Sequence, residues 1–174
     1  MKKYLPILLI SPLVILADQL TKLWVISRVP LGGETPVFPG YFEIVHRQNP
    51  GAAFSLLADW DSQFRNGFFF VVSLVAMVIL FVLYAKTGER ERRVQVPLAL
   101  ILGGAVGNLL DRLYQGVVTD FLLFHWRNEI ADFAFLGKNF RFALSWPAFN
   151  IADSAITCGA IFLVIQILFF AKKK

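Results

Sequence analysis

FRNGFFFVVSLVAMVILFVLYA, residues 64–85, decides what kind of protein this is. From residue 67 to residue 85 the run holds no charged side chain. A helix rises 1.5 Å per residue, so about 20 such residues cross a bilayer core, and a helix satisfies its backbone amides without water. Reading outward from this run, apolar stretches of similar length stand at about residues 5–27, 94–114 and 147–171. The 174 residues are 57% apolar with a mean hydropathy of +0.62, which excludes an ordinary water-soluble surface. The expected fold is an all-α polytopic membrane protein. It is a four-transmembrane-helix bundle in one integral membrane domain, 1–174, with connecting loops at 28–63 and 115–146.

The two loops differ in texture. Pro30, Gly32, Gly33, Pro36, Pro39 and Gly40 punctuate the first, and a strand-like run from Tyr41 to Val45 follows, which predicts a small exoplasmic β element. In the second, Phe, Leu and Trp mingle with Arg127, Glu129, Asp132, Lys138 and Arg141, as suits a loop lying at the membrane interface.

The net charge of +5 is unevenly placed. Lys2 and Lys3, then Lys86, Arg90, Arg92 and Arg93, then Lys172, Lys173 and Lys174 flank the spans on one side. By the positive-inside rule that side, with both termini, is cytoplasmic, and both longer loops are exoplasmic. Anchoring explains the basic residues without nucleic acid. The opening Met1-Lys2-Lys3 imitates a signal peptide, but no small-residue cleavage site follows, so the first span is expected to stay attached. One cysteine, Cys158, allows no internal disulfide and reads as a small buried apolar residue. Two scattered histidines, His46 and His125, give no metal-site pattern.

Polar side chains inside spans cost about 2.5–3.5 kcal/mol for a central Asp, Lys or Arg, so each needs a reason. Asp18 and Lys22 lie late in the first span, Asn108, Asp111 and Arg112 late in the third, Asn150 and Asp153 early in the fourth, and Asp120 just beyond the third. With alternating helix directions all of these fall in the exoplasmic half. Asp18 and Lys22, four apart, can neutralise one another on one face. Asp111 and Arg112 fit scaffold or substrate contact equally. Gly103 and Gly107 make a small-xxx-small step, with Gly104 beside them, for close helix packing. Asn49-Pro50-Gly51 reads as a turn. Asp120 and Asp153 have no cation near them in sequence, and two carboxyls sharing a proton can act as base and acid toward water and a carbonyl. Asp132 is a rival member of such a pair. A transporter with an Asp/Lys/Arg relay is the competing reading, but a relay should reach both faces, and the ionisable residues stop at one.

Taken in order, Asp18-Gln19-Leu20-Thr21-Lys22, Asn49-Pro50-Gly51-Ala52-Ala53-Phe54, Gly103-Gly104-Ala105-Val106-Gly107-Asn108-Leu109-Leu110-Asp111-Arg112, Val118-Thr119-Asp120-Phe121 and Phe149-Asn150-Ile151-Ala152-Asp153-Ser154 resemble the lipoprotein signal peptidase (signal peptidase II) family. The blocks span nearly the whole chain. The resemblance implies a bacterial inner-membrane aspartic endopeptidase, without metal or cofactor, that cleaves before the diacylglyceryl-modified cysteine of a prolipoprotein. It implies Asp120 and Asp153 as catalytic pair, with Asn49, Gly51, Asn108, Arg112 and Asn150 binding substrate or the cyclic peptide inhibitor globomycin. Asp18, Lys22, Gly104 and Asp111 would support the scaffold. Membrane lipids are the expected surroundings and a monomer the expected state. One departure stands out: the stretch between Asp120 and Asn150 is longer than the family pattern, with extra aromatic and charged residues over 127–146.

Overall fold

Residues 2–51, 61–135 and 138–170 are described by the computed structural model. Ala52, Ala53 and Phe54 of the second block, and Lys172, Lys173 and Lys174, lie outside the described residues. The chain runs α1 (Leu5–Arg28), β1 (Glu34–Phe38), β2 (Phe42–Asn49), α2 (Ser62–Lys86), α3 (Arg92–Gln115), β3 (Val118–Phe135), β4 (Lys138–Ser145) and α4 (Ile151–Phe170). All four helices are long and apolar enough to cross a membrane. Contacts within the chain divide it into a helical unit (Met1–Thr21, Asn49–Val118, Ile151–Lys174) and a sheet unit (Lys22–Gln48, Thr119–Asn150).

In the helical unit, α3 is the packed helix because its glycines remove side chains where neighbours approach. A Cβ on Gly103 would stand 3.0 Å from the Ser11 backbone of α1, and one on Gly104 would collide with the Ala152 carbonyl of α4. Gly103 thus serves α1 and Gly104 serves α4, the division of labour that small residues allow between helices in lipid. Gly159 of α4 returns the contact, since a Cβ there would stand 2.7 Å from the Pro97 carbonyl oxygen. Ser11 donates to the Ala99 carbonyl at 2.7 Å, and Tyr84, Leu98, Ala99 and Leu102 form a small core. Asp61 caps α2 by accepting from the Gln63 and Phe64 amides. Cys158, expected to be buried, is exposed on α4, because an apolar side chain in a span is satisfied by lipid as well as by protein.

The sheet unit holds four strands in the order β1-β2-β3-β4. β1 and β2 pair as a hairpin where a small β element was expected between the first two spans, with Glu34 opposite Val45 and a bulge between Pro36 and Phe38. The second loop, expected to lie at the interface and not assigned strands from the sequence, carries β3 and β4, paired antiparallel from Ile130 with Ala143 to Phe135 with Lys138. Between His125 and Ile130 the pairing slips. Arg127 takes φ 46°, donates its backbone N–H to the Gly40 carbonyl at 2.6 Å, and donates from Nε to the Tyr41 hydroxyl at 2.9 Å. A non-glycine residue in the left-handed region is uncommon, and here two hydrogen bonds hold it. Phe124 stacks between Phe42 and Phe149, with ring centroids 4.6 and 5.9 Å away.

Candidate active site

The polar residues singled out in the sequence fall into two groups, one in each unit. In the helical unit, Asp153 stands in the first turn of α4 and accepts a hydrogen bond from Asn108 Nδ2 of α3 at 2.7 Å. One turn along α3, Arg112 Nη1 donates to the Asn108 carbonyl at 3.2 Å, fastening the guanidinium to the same helix turn. An amide orients a carboxylate without adding a charge to it.

Asp18 does a different job. Fully buried on α1, it accepts from the Ala152 amide at 2.9 Å and so occupies the N-terminus of α4, where unpaired N–H groups and the helix dipole favour a carboxylate. The position of Asp18 is fixed by Gln19, whose Nε2 lies 3.2 Å from Asp18 Oδ2, 2.9 Å from Asp111 Oδ1 and 3.1 Å from the Gly107 carbonyl. A Cβ on Gly107 would stand 2.7 Å from Asp18 Oδ2, so glycine is what lets that carboxylate pass. Gln19 belongs to the first motif, where the sequence alone assigns it no role of its own. An amide one position from a buried Asp, inside a span, was the available signal.

The sheet unit holds the second group. Asn150 Nδ2 donates to Asp120 Oδ1 at 2.8 Å and to the Thr119 carbonyl at 3.2 Å, and Thr119, Asp120 and Asn150 are all buried. The backbone registers this pair: the Phe121 and Leu122 amides donate to the Phe149 carbonyl at 3.0 and 2.8 Å, and the Phe149 amide returns to Leu122 at 3.1 Å. Lys22 is also buried in this unit.

Asn49 and Gly51 make the turn their sequence suggested. The Gly51 amide donates to Asn49 Oδ1 at 2.9 Å, and Gly51 has φ 91° with the Phe69 ring against the place a Cβ would take.

Comparison with known proteins identifies the family. The family profile described as Signal peptidase (SPase) II matches residues 10–169. The chain belongs to the signal peptidase II family. A lipoprotein signal peptidase of Desulforapulum autotrophicum is 43% identical over 92% of this chain and 90% of its own length. One of Syntrophus aciditrophicus is 41% identical over 100% of this chain and 99% of its own. A solved bacterial membrane enzyme superposes with a TM-score of 0.72 at 30% identity, covering 95% of this chain and 94% of that one. As a signal peptidase II family member, the protein is a multi-pass bacterial membrane protease.

Proposed function

We propose that the protein is an aspartic endopeptidase that removes signal peptides from diacylglyceryl-modified prolipoproteins, cleaving before the lipidated cysteine, with Asp120 and Asp153 as the catalytic pair. The observation that carries this reading is that each of the two carboxylates is held by its own asparagine, Asp120 by Asn150 at 2.8 Å and Asp153 by Asn108 at 2.7 Å. Asn150 immediately precedes α4, and Asp153 lies in its first turn.

In the proposed reaction one carboxylate of the pair is ionised and takes a proton from water as its oxygen attacks the scissile carbonyl carbon. The other, protonated, gives its proton to the carbonyl oxygen. The tetrahedral diol then collapses: the carboxylate that gave its proton takes one back from a diol hydroxyl, the C–N bond breaks, and the leaving nitrogen takes up the proton captured from water, so the pair returns to its starting state. No further co-reactant enters this balance.

The remaining roles follow the family resemblance and the local geometry. Asn108, Arg112 and Asn150 orient the carboxylates and meet substrate, while Asn49 and Gly51 line the groove that globomycin would occupy. Asp18, Lys22, Gly104 and Asp111 keep the scaffold in register. The distribution of Lys and Arg supports cytoplasmic termini and an active end at the exoplasmic interface, where a signal helix can arrive laterally with its lipid.

The test is single-turnover cleavage of a lipidated prolipoprotein by purified enzyme in detergent, beside the unlipidated form. Cleavage of the lipidated form alone, lost in Asp120→Asn and in Asp153→Asn, is expected. Substantial turnover by either variant would reject the pair, and equal cleavage of the unlipidated form would reject the substrate assignment.

A further inference from the structure

At the opposite end of α4 from Asp153, the helical unit contains an open groove of about 400 Å³ that the peptidase reading does not use. Its lining is mostly apolar, with Val96, Phe162 and Ile165, and includes Arg92, Arg93 and Gln166. We propose that this groove binds an anionic glycerophospholipid, the phosphate on Arg92 and Arg93 and an acyl chain lying between α3 and α4.

The charge pattern favours that occupant. Arg92 and Arg93 open α3, whose first turn has no acidic residue and whose N-cap, Glu91, makes no side-chain cap bond. Glu91 is turned instead to the Gly88 amide, which donates to its Oε2 at 2.8 Å. Two arginines at the positive end of a helix raise the local positive potential, which favours an anionic headgroup over a zwitterionic one. Guanidinium groups suit a phosphodiester because their planar forks give paired N–H donors. The Arg93 guanidinium lies over the Phe170 ring, 5.0 Å from its centroid, which orients the fork without neutralising it.

Gln166 supplies a further reason. It is an amide within the otherwise apolar second half of α4, where such residues are costly without a polar partner. Across the groove from two arginines, its side-chain N–H groups are suited to the ester carbonyls just below a lipid phosphate. Basic pockets between spans at the cytoplasmic side are a recognised place for anionic headgroups. Under the proposed topology this groove faces the inner leaflet, while the binding itself does not depend on the peptidase chemistry.

Native mass spectrometry of the detergent-purified full chain tests it, with phosphatidylglycerol and phosphatidylcholine of matched acyl chains as probes and glycerol phosphate as a soluble competitor. Phosphatidylglycerol should be retained about ten- to thirtyfold more tightly than phosphatidylcholine, as two basic contacts would give. The double variant Arg92→Gln, Arg93→Gln should lose that preference at unchanged cleavage activity. Ile165→Trp, which fills the groove and leaves the charges alone, should lower phosphatidylglycerol retention, and it decides the matter if the double variant does not fold. Equal retention of the two lipids, a folded double variant that keeps the preference, or undiminished binding by Ile165→Trp would overturn the site. Displacement by equimolar glycerol phosphate would reduce it to a phosphate site without an acyl groove, and so also overturn it.

Discussion

Helices α2 and α3 are nearly equal in length and opposite in design. In its most apolar window α2 reaches a mean hydropathy of 2.9 with 6% of those residues buried, whereas α3 reaches 1.5 with 56% buried. In water the more apolar helix would be the core. In a bilayer apolar contact is available on every side, so protein–protein surface goes to helices with small and polar residues that can approach closely and hydrogen-bond. From Phe69 onward α2 keeps a narrow seam, with Phe69, Phe70, Ser73, Met77 and Leu80 partly covered and Tyr84 buried, while α3 buries Gly103, Gly104, Gly107, Asn108 and Asp111. The less span-like of the two helices is the one that carries Asn108 and Arg112 and packs closely on α1 and α4.

The largest effects should therefore come from the polar side of this contrast. Asp120→Asn and Asp153→Asn preserve shape and remove ionisation, so each should lower single-turnover cleavage by about 10²–10⁴-fold or more with little change in thermal stability. Asp132→Asn, on the distal part of β3, should leave turnover near that of the parent. Loss confined to Asp132→Asn would move the acid–base pair out of the Asn108 and Asn150 environments, and α3 would lose its claim on the chemistry.

Next in size are changes that separate α3 from its neighbours. Gly104→Val forces a branched side chain against the Ala152 carbonyl, and overpacking of this kind costs about 1–3 kcal/mol, with more expected where backbone is the obstacle. Gln19→Leu removes a donor from buried Asp111 and from Asp18, which should cost about 1–3 kcal/mol. Asp18→Asn keeps an oxygen for the Ala152 amide and loses the charge at the head of α4, a loss of about 0.3–2 kcal/mol. Thermal unfolding in one detergent ranks all three. A Gly104→Val variant as stable as the parent would mean that α3 and α4 are not held by close approach.

Much of this contrast was legible in the sequence. Runs of about 20 apolar residues announced the spans, and the cost of intramembrane charge drew attention to Asp18, Asp111 and Asp153. What each would bond to was not legible, because a buried acid has several candidate partners and only the packing selects one. Asp18 was read against Lys22 on its own helix, yet it also reaches across to the Ala152 amide of α4. The hairpin of β3 and β4 was hidden for another reason. Phe140, Phe142 and Leu144 do alternate with Asn139, Arg141 and Ala143, but on β3 the period breaks where the chain advances from His125 to Ile130 while β4 moves only from Ser145 to Ala143. An aromatic, charged stretch without sustained alternation fits an interfacial loop equally well.

The smallest effect is expected on α2, and it sharpens the comparison most. Val75, Ile79 and Val82 form a stripe at helical spacing and are exposed by 52%, 54% and 44%. If that stripe meets only acyl chains, changing all three to Leu replaces one lipid-facing apolar surface with another and slightly favours the helix, since β-branched side chains lose χ1 freedom there. Unfolding stability should then stay within about 0.5 kcal/mol of the parent and cleavage should not change. A drop of several times that size would mean that the stripe is packed against protein. The α2 face would then be an interface with a second copy, and the monomer expected from the sequence would give way to an assembly. Size-exclusion chromatography with light scattering on the parent and the triple variant would separate these outcomes, because loss of a dimer changes mass as well as stability.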